Sequence, residues 1–221
     1  MSFTVYFVRH GQTMFNYFQR MQGWSDSPLT AKGIQDAKKA GQHLKKIQFA
    51  GVYHSDTTRT QRTCEQILAA NQFSTPQPCT SMNFREQGYG YFEGNDSGQT
   101  WLIAGARHEA STYQELISNY SIEDSRDFLK EVDPFQLAEN NEEFWQRLNG
   151  GFDLLRKNQT DGDQVLVVSH GTTIRSIVHH FAPEIDIISQ GPVNGSVTKL
   201  IIDPNQVKVV YYNHYLDDQP Y

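Results

Sequence analysis

Short apolar segments rich in β-branched and aromatic residues alternate along the chain with stretches in which apolar residues return every three or four positions. The first, residues 3–8 (FTVYFV), stops at Arg9-His10-Gly11; others are Val52-Tyr53-His54, a weaker run near 77–82, residues 165–168 and residues 197–202. Each has the length of a buried strand bounded by polar residues. Between them, Ile34, Ala37, Gly41 and Leu44 trace one helix face after Thr30, a plausible N-cap. Cys64, Ile67 and Leu68 trace a second, and Ile174, Ile177, Val178 and Phe181 a third. This alternation predicts an α/β three-layer sandwich: a mainly parallel central sheet flanked by helices. In such folds the active-site residues gather at the carboxyl ends of the strands. Residues 207–212 read as an edge strand or a contact surface.

The stretch from about 95 to 150 breaks the rhythm. It is polar, helical in pieces, and between Glu109 and Glu143 carries ten acidic side chains against two basic ones. Two readings stand: a helical cap packed over the strand ends, or a solvated excursion with no part in binding. No repeat or low-complexity linker divides the 221 residues, which predicts a single domain containing this insertion. A chain of that length buries roughly 70% of its unfolded surface and needs no staple. Cys64 and Cys79 form no CxxC pair, and neither a charged leader nor a long apolar run is present. These features predict a cytoplasmic protein without a disulfide framework or a membrane span.

Charge sharpens the picture. The formal net charge is −6, yet residues 1–85 hold ten Lys or Arg against four acids, and 86–221 hold nine against twenty-one. Arg9, Arg59 and Arg85 stand at the edges of apolar segments, where a side chain can reach into a cleft. No dense basic run with interleaved aromatics exists, which argues against a nucleic-acid partner. Oligomeric state leaves no mark in the sequence.

Two strands end alike, in Val8-Arg9-His10-Gly11 and Val168-Ser169-His170-Gly171, each followed by a helix. A parallel sheet can set such ends side by side. Glycine lets backbone N–H groups approach a ligand, and the following helix aims its positive end at the same place. With Arg9 and Arg59 added, the anion suited to this site is a phosphoryl group. No GxxxxGK[ST] motif exists, Gly88, Gly90 and Gly94 are wrongly spaced for GxGxxG, and no HExxH or clustered carboxylates offer a metal cage. The sequence therefore predicts neither metal nor cofactor. Phosphoryl chemistry by this route needs a side-chain nucleophile, positive groups around phosphorus and an acid for the leaving oxygen.

Several blocks in order carry a resemblance: Phe7-Val8-Arg9-His10-Gly11-Gln12-Thr13 with Asn16, residues 22–33 (QGWSDSPLTAKG), residues 55–63 (SDTTRTQRT), Arg85-Glu86 with Gly90 and Glu93-Gly94, and Ser169-His170-Gly171. Together they closely resemble the histidine phosphatase superfamily, the phosphoglycerate mutase-like proteins, over the whole chain except about 95–150. The resemblance implies that His10 is the nucleophile and becomes a phosphohistidine. It implies that Arg9, Arg59 and His170 form the phosphate pocket, with Asn16, Gln22, Gly23, Gly171 and Thr172 binding substrate. Glu86 matches the proton donor, which must carry its proton when substrate is bound. Each has a simpler reading beside this one: Asn16 as a helix cap, Gln22 as a loop residue, Glu86 as a surface acid.

The family holds both mutases and phosphatases. In the mutase branch basic residues follow the catalytic glutamate closely, whereas here no Lys or Arg follows Arg85 until Arg107, and Gln22 resembles the phosphatase branch. The expectation is a metal-independent phosphatase acting on small phosphomonoesters. The alternatives are mutase-type transfer, a non-catalytic phospho-ligand binding module, and a phosphoprotein phosphatase. Phe15, Tyr17, Phe18, Trp24, Tyr89, Tyr91 and Phe92 lie near the site in sequence, which suggests a partly apolar or planar leaving group. An acidic cap would repel polyphosphates and favour a monophosphate.

Overall fold

Alternate residues of the first strand serve different layers, and the rest of the molecule is built on that division. A computed structural model describes residues 2–221. The strands are β1 (Phe3–Arg9), β2 (Gly51–His54), β3 (Cys79–Thr80), β4 (Gln164–Ser169), β5 (Val197–Ile202) and β6 (Val207–His214). They form one six-stranded sheet in the order β3-β2-β4-β1-β5-β6. The β1–β4, β4–β2 and β2–β3 pairs are parallel, and β5 and β6 join antiparallel. Residues 207–212 thus belong to an edge strand.

Helices α2 (Ala31–Leu44) and α3 (Thr58–Ala69) cover one face, where Ala40, Leu44, Cys64 and Ile67 meet Tyr6, Val8, Leu166 and Val168. Helices α7 (Asn141–Asn158) and α8 (Gly171–Phe181) cover the other, where Phe144, Leu148, Phe152, Ile174 and Ile177 meet Val5, Phe7, Val165 and Val167. The short α1 (Met14–Tyr17) follows β1. Thr30 does cap α2, accepting from the Gly33 N–H, a contribution of about 1 kcal/mol. Ile34, expected on its buried face, is exposed instead. Small residues make that face: Ala37, Ala40 and Gly41 let α2 lie close against α3, where a Cβ on Gly41 would stand 3.0 Å from that of Ala70.

The insertion is a group of helices, shorter than expected, that shares its apolar core with the segments before it. Helices α4 (Ser97–Gly105), α5 (Tyr113–Asn119) and α6 (Ile122–Val132) bury Trp101, Ala104, Ala110, Leu116 and Leu129 with Met21, Tyr89 and Phe92. Residues 141–150, assigned to the cap from sequence, start α7 and pack in the sandwich through Phe144 and Leu148. Arg126 of α6 is fully buried, bonded to Asn141 and Ser176 and packed over the Phe144 ring at 3.9 Å. It ties the cap to both α7 and α8.

The loop after β1 needs its glycine. A Cβ on Gly11 would meet the Gly33 carbonyl oxygen at 2.1 Å, so the strand end and the start of α2 touch backbone to backbone.

Candidate active site

The pairing of Arg9 with Ser169 in the β1–β4 ladder puts the next residues of both strands side by side. His10 and His170 meet edge to face with ring centroids 5.2 Å apart, both buried. The His10 Nδ1–H donates to the Gly11 carbonyl at 2.8 Å, which leaves Nε2 as the lone-pair nitrogen, with no partner among the described residues. Arg59 donates to the His170 Nδ1 at 3.1 Å, so the proton of His170 sits on Nε2, 2.8 Å from the Ser55 hydroxyl. Burial, then the neighbouring guanidiniums of Arg59 and Arg9, hold His10 well below the usual histidine range; burial and Arg59 do the same for His170.

Arg59 is fully buried and spends its donors on Gly23 O at 2.6 Å, Ser25 O at 2.8 Å and Asp26 Oδ1 at 3.0 Å. The loop it grips is fastened from the other side by Glu93, whose carboxylate accepts the N–H groups of Gly23, Trp24, Ser25 and Tyr89. Four backbone donors converging on one acid explain an acidic residue here better than surface solvation does. Gln22 is held as firmly. Its Oε1 accepts from the Thr13 and Ser27 hydroxyls at 2.9 and 2.6 Å, leaving its buried NH2 group unpartnered.

Glu86 is buried too. Its Oε1 accepts from Thr173 N at 2.8 Å, Thr173 Oγ1 at 3.1 Å and Gln87 N at 3.1 Å, and its Oε2 from Thr172 N at 2.8 Å. The carboxylate thus occupies the N-terminus of α8, one residue beyond Gly171.

These groups border a cleft of about 210 Å³ whose lining includes Arg9, His10, Asn16, Gln22, Glu86 and Gly171. The arrangement can present a neutral imidazole nitrogen, an acid and several unpaired N–H donors to one small anion.

The sequence pattern described as "Histidine phosphatase superfamily (branch 1)" matches residues 5–214. The chain belongs to the histidine phosphatase superfamily. A phosphoglycerate mutase of known structure from Bacillus anthracis is 31% identical, with a TM-score of 0.88 over 96% of this chain and 93% of that one. The mycobacterial glucosyl-3-phosphoglycerate phosphatase shares the fold at 20% identity, with a TM-score of 0.71 over 96% and 99%. A Salmonella choleraesuis protein named "Probable phosphoglycerate mutase GpmB" is 48% identical over 66 residues; the match spans 30% of this chain and 31% of that protein.

Within this histidine phosphatase fold, the expected site residues divide. Arg9, His10, Asn16, Gln22, Glu86, Gly171 and Thr172 line the cleft. Arg59, His170 and Gly23 stand behind it: Arg59 and His170 brace each other, and Gly23 faces inward, where a Cβ would meet Gln87 O at 2.0 Å. Gly23 is therefore a packing residue rather than a substrate contact. The Thr172 N–H belongs to Glu86, and its hydroxyl lies 3.1 Å from that of Tyr89, where either can donate, so its backbone donor is already engaged. Asn16 fills both of its readings. It closes a capping box with Thr13 at the start of α1, and its Oδ1 also accepts from Asn194, while its NH2 group makes no bond in the described chain. Arg85 does not reach the cleft; it clasps Asp56 through two bonds of 2.6 Å and lies 4.8 Å from the Trp24 ring.

Of the seven aromatics expected near the mouth, only Tyr89 lines the cleft, and Trp101 and Tyr113 of the cap join it. The cap's acids do not. The charged side chains that line the cleft are Arg9, Arg20, Arg175 and Glu86. The absence of basic residues directly after Glu86 is thus made good from other segments, and the expectation of a polyphosphate-repelling wall is not met. Arg175 carried a readable signal: it follows Thr172 by three positions on one helix and shares its face. Arg20, Trp101 and Tyr113 carried none.

The histidines set a pH expectation. Because His10 is held well below the usual range, its Nε2 stays unprotonated on acidification, and kcat/KM should show no acid-side inflection near 6.5. Stability runs the other way. The unfolded chain takes up protons on His10 and His170 as pH falls through about 6.5 while the folded chain does not, so stability present above that value is lost below it. Thermal melts at pH 7.5 and 5.5, beside a pH–rate profile, check both; an inflection at 6.5 that His10 substitution removes would contradict the assignment.

Proposed function

We propose that the protein is a metal-independent phosphatase that hydrolyses small phosphomonoesters through a phosphohistidine. The observation that carries this reading is the unpartnered Nε2 of His10 in a cleft that also holds Glu86 and the free donors of Gln22 and Asn16. The Nε2 lone pair attacks phosphorus in line, and the ester P–O bond breaks. Arg9, the Gln22 and Asn16 amides and the Gly171 N–H hold the equatorial oxygens. Glu86 gives its proton to the leaving oxygen. Oε2, which accepts one backbone N–H against two at Oε1, is the oxygen assigned to that proton. Water then attacks the phosphohistidine, Glu86 takes a proton from it, and inorganic phosphate leaves with His10 restored.

Mutase-type transfer is the second reading, favoured by the 31% identity to the Bacillus anthracis enzyme and by arginines in the cleft beyond Arg9. Hydrolysis is favoured by the cap, whose cleft-lining residues Ser97, Trp101 and Tyr113 bring no cation to retain a released product. Incubation with phosphoglycerates and neutral phosphomonoesters, chelator present, separates the two. Released phosphate is the expected product. Isomerised phosphoglycerate with little release would replace hydrolysis by transfer, and dependence on added metal would overturn the mechanism.

A further inference from the structure

Resting on the placement of the phosphoryl group at His10, we infer that Asn194, which does not itself line the cleft, is a positioning residue that fixes which end of the Asn16 amide faces the phosphoryl oxygens. The two ends of an amide are told apart by their partners. Asn194 sets one end of its side chain 2.9 Å from the His10 carbonyl, and a carbonyl only accepts, so that end is the NH2 group. The same NH2 group reaches the Asn16 amide at 3.3 Å and can bond only its oxygen. The Thr13 N–H, which only donates, meets that oxygen too, at 3.2 Å. Both contacts engage the Asn16 oxygen and leave its NH2 group as the end free for a ligand in the cleft that Asn16 lines. Reversed, the amide would lose both partners and set an oxygen against a phosphoryl dianion.

The loop that carries Asn194 is anchored on three elements, so its amide arrives at a set place. Gly195 N donates to the Arg9 carbonyl at 2.9 Å and Arg9 N to the Ser196 carbonyl at 3.1 Å, which carries the β1–β5 pairing to the end of β1. Val193 N donates to Asn213 Oδ1 of β6 at 2.8 Å. Gly195 has a φ of +77°, and a Cβ there would stand 2.7 Å from the Asp36 carbonyl oxygen, so the turn closes against α2. The His10 carbonyl that Asn194 holds shares a peptide plane with the Gly11 N–H, which donates to Thr63 Oγ1 at 3.0 Å. Without Asn194 that plane keeps its Thr63 bond, and the His10 ring keeps its bond to the Gly11 carbonyl. The amide of Asn16 is therefore where the loss of Asn194 is felt.

Calorimetry with orthovanadate, a stand-in for the five-coordinate phosphoryl group, tests this on the intact protein. Asn194→Leu keeps the size of the side chain and removes its donor, and Asn194→Ala is the smaller counterpart, with melting curves confirming that each variant is folded. Either is expected to weaken vanadate binding by about fivefold to tenfold, and Asn16→Ala by about tenfold or more. In the Asn16→Ala background the Asn194 substitution should add about twofold or less, because the group through which it acts is gone. A merely structural role would give the same loss in both backgrounds. Losses that multiply therefore overturn the inference, as does unchanged vanadate affinity in the folded Asn194 variants; both leave the phosphoryl site standing. Failure of the wild type to bind vanadate overturns the phosphoryl site at His10 itself.

Discussion

Replacing His10 with alanine is expected to lower phosphate release by about 10⁴-fold or more, because the variant loses the cleft-lining imidazole nitrogen whose lone pair is free. The loss should fall on kcat rather than on binding, since Arg9, Gln22 and Asn16 still stand around the phosphoryl position. Brief incubation of wild type with a ³²P-labelled ester should leave acid-labile, base-stable label on the protein, absent from His10→Ala. Retained activity together with label on another residue would reassign the nucleophile.

Glu86→Gln is expected to cut turnover of alkyl phosphates by about 10²- to 10⁴-fold, the usual worth of a positioned general acid. Two roles are mixed in this residue. It faces the cleft as an acid, and it also fastens the first turn of α8 through the N–H groups of Thr172 and Thr173. The leaving group separates them. If Glu86 supplies a proton, an aryl ester whose phenolate departs unaided should lose about tenfold or less in single-turnover labelling of His10. An equal loss on both esters would make Glu86 a clamp for the helix rather than an acid.

Much of this was legible because the carrying signals are local. Val8-Arg9-His10-Gly11 and Val168-Ser169-His170-Gly171 each combine a buried strand with a polar end, and the β1–β4 register joins them as a parallel sheet predicts. Periodicity failed where packing depends on small residues: on α2 it selected Ile34, while Ala37, Ala40 and Gly41 make the contact. The cap boundary was misread because the first turn of α7 is acidic and capped by Asn140, which hides the Phe144, Leu148, Phe152 and Leu155 stripe behind it. Charge in the cleft was the least legible feature. Arg20 and Arg175 lie far apart in sequence and converge only through the fold, so a count of basic residues after Glu86 could not find them.

Arg126 bears on how traffic through the mouth must work. A hinged lid would have to carry α6 away from α7 and α8, stranding a buried guanidinium from Asn141, Ser176 and the Phe144 ring. Severing such contacts costs several kcal/mol each time, a toll repeated at every turnover. Arg126 thus pins α6 to the sandwich, and any widening of the cleft falls to α4 and α5, which carry its lining residues Ser97, Trp101 and Tyr113.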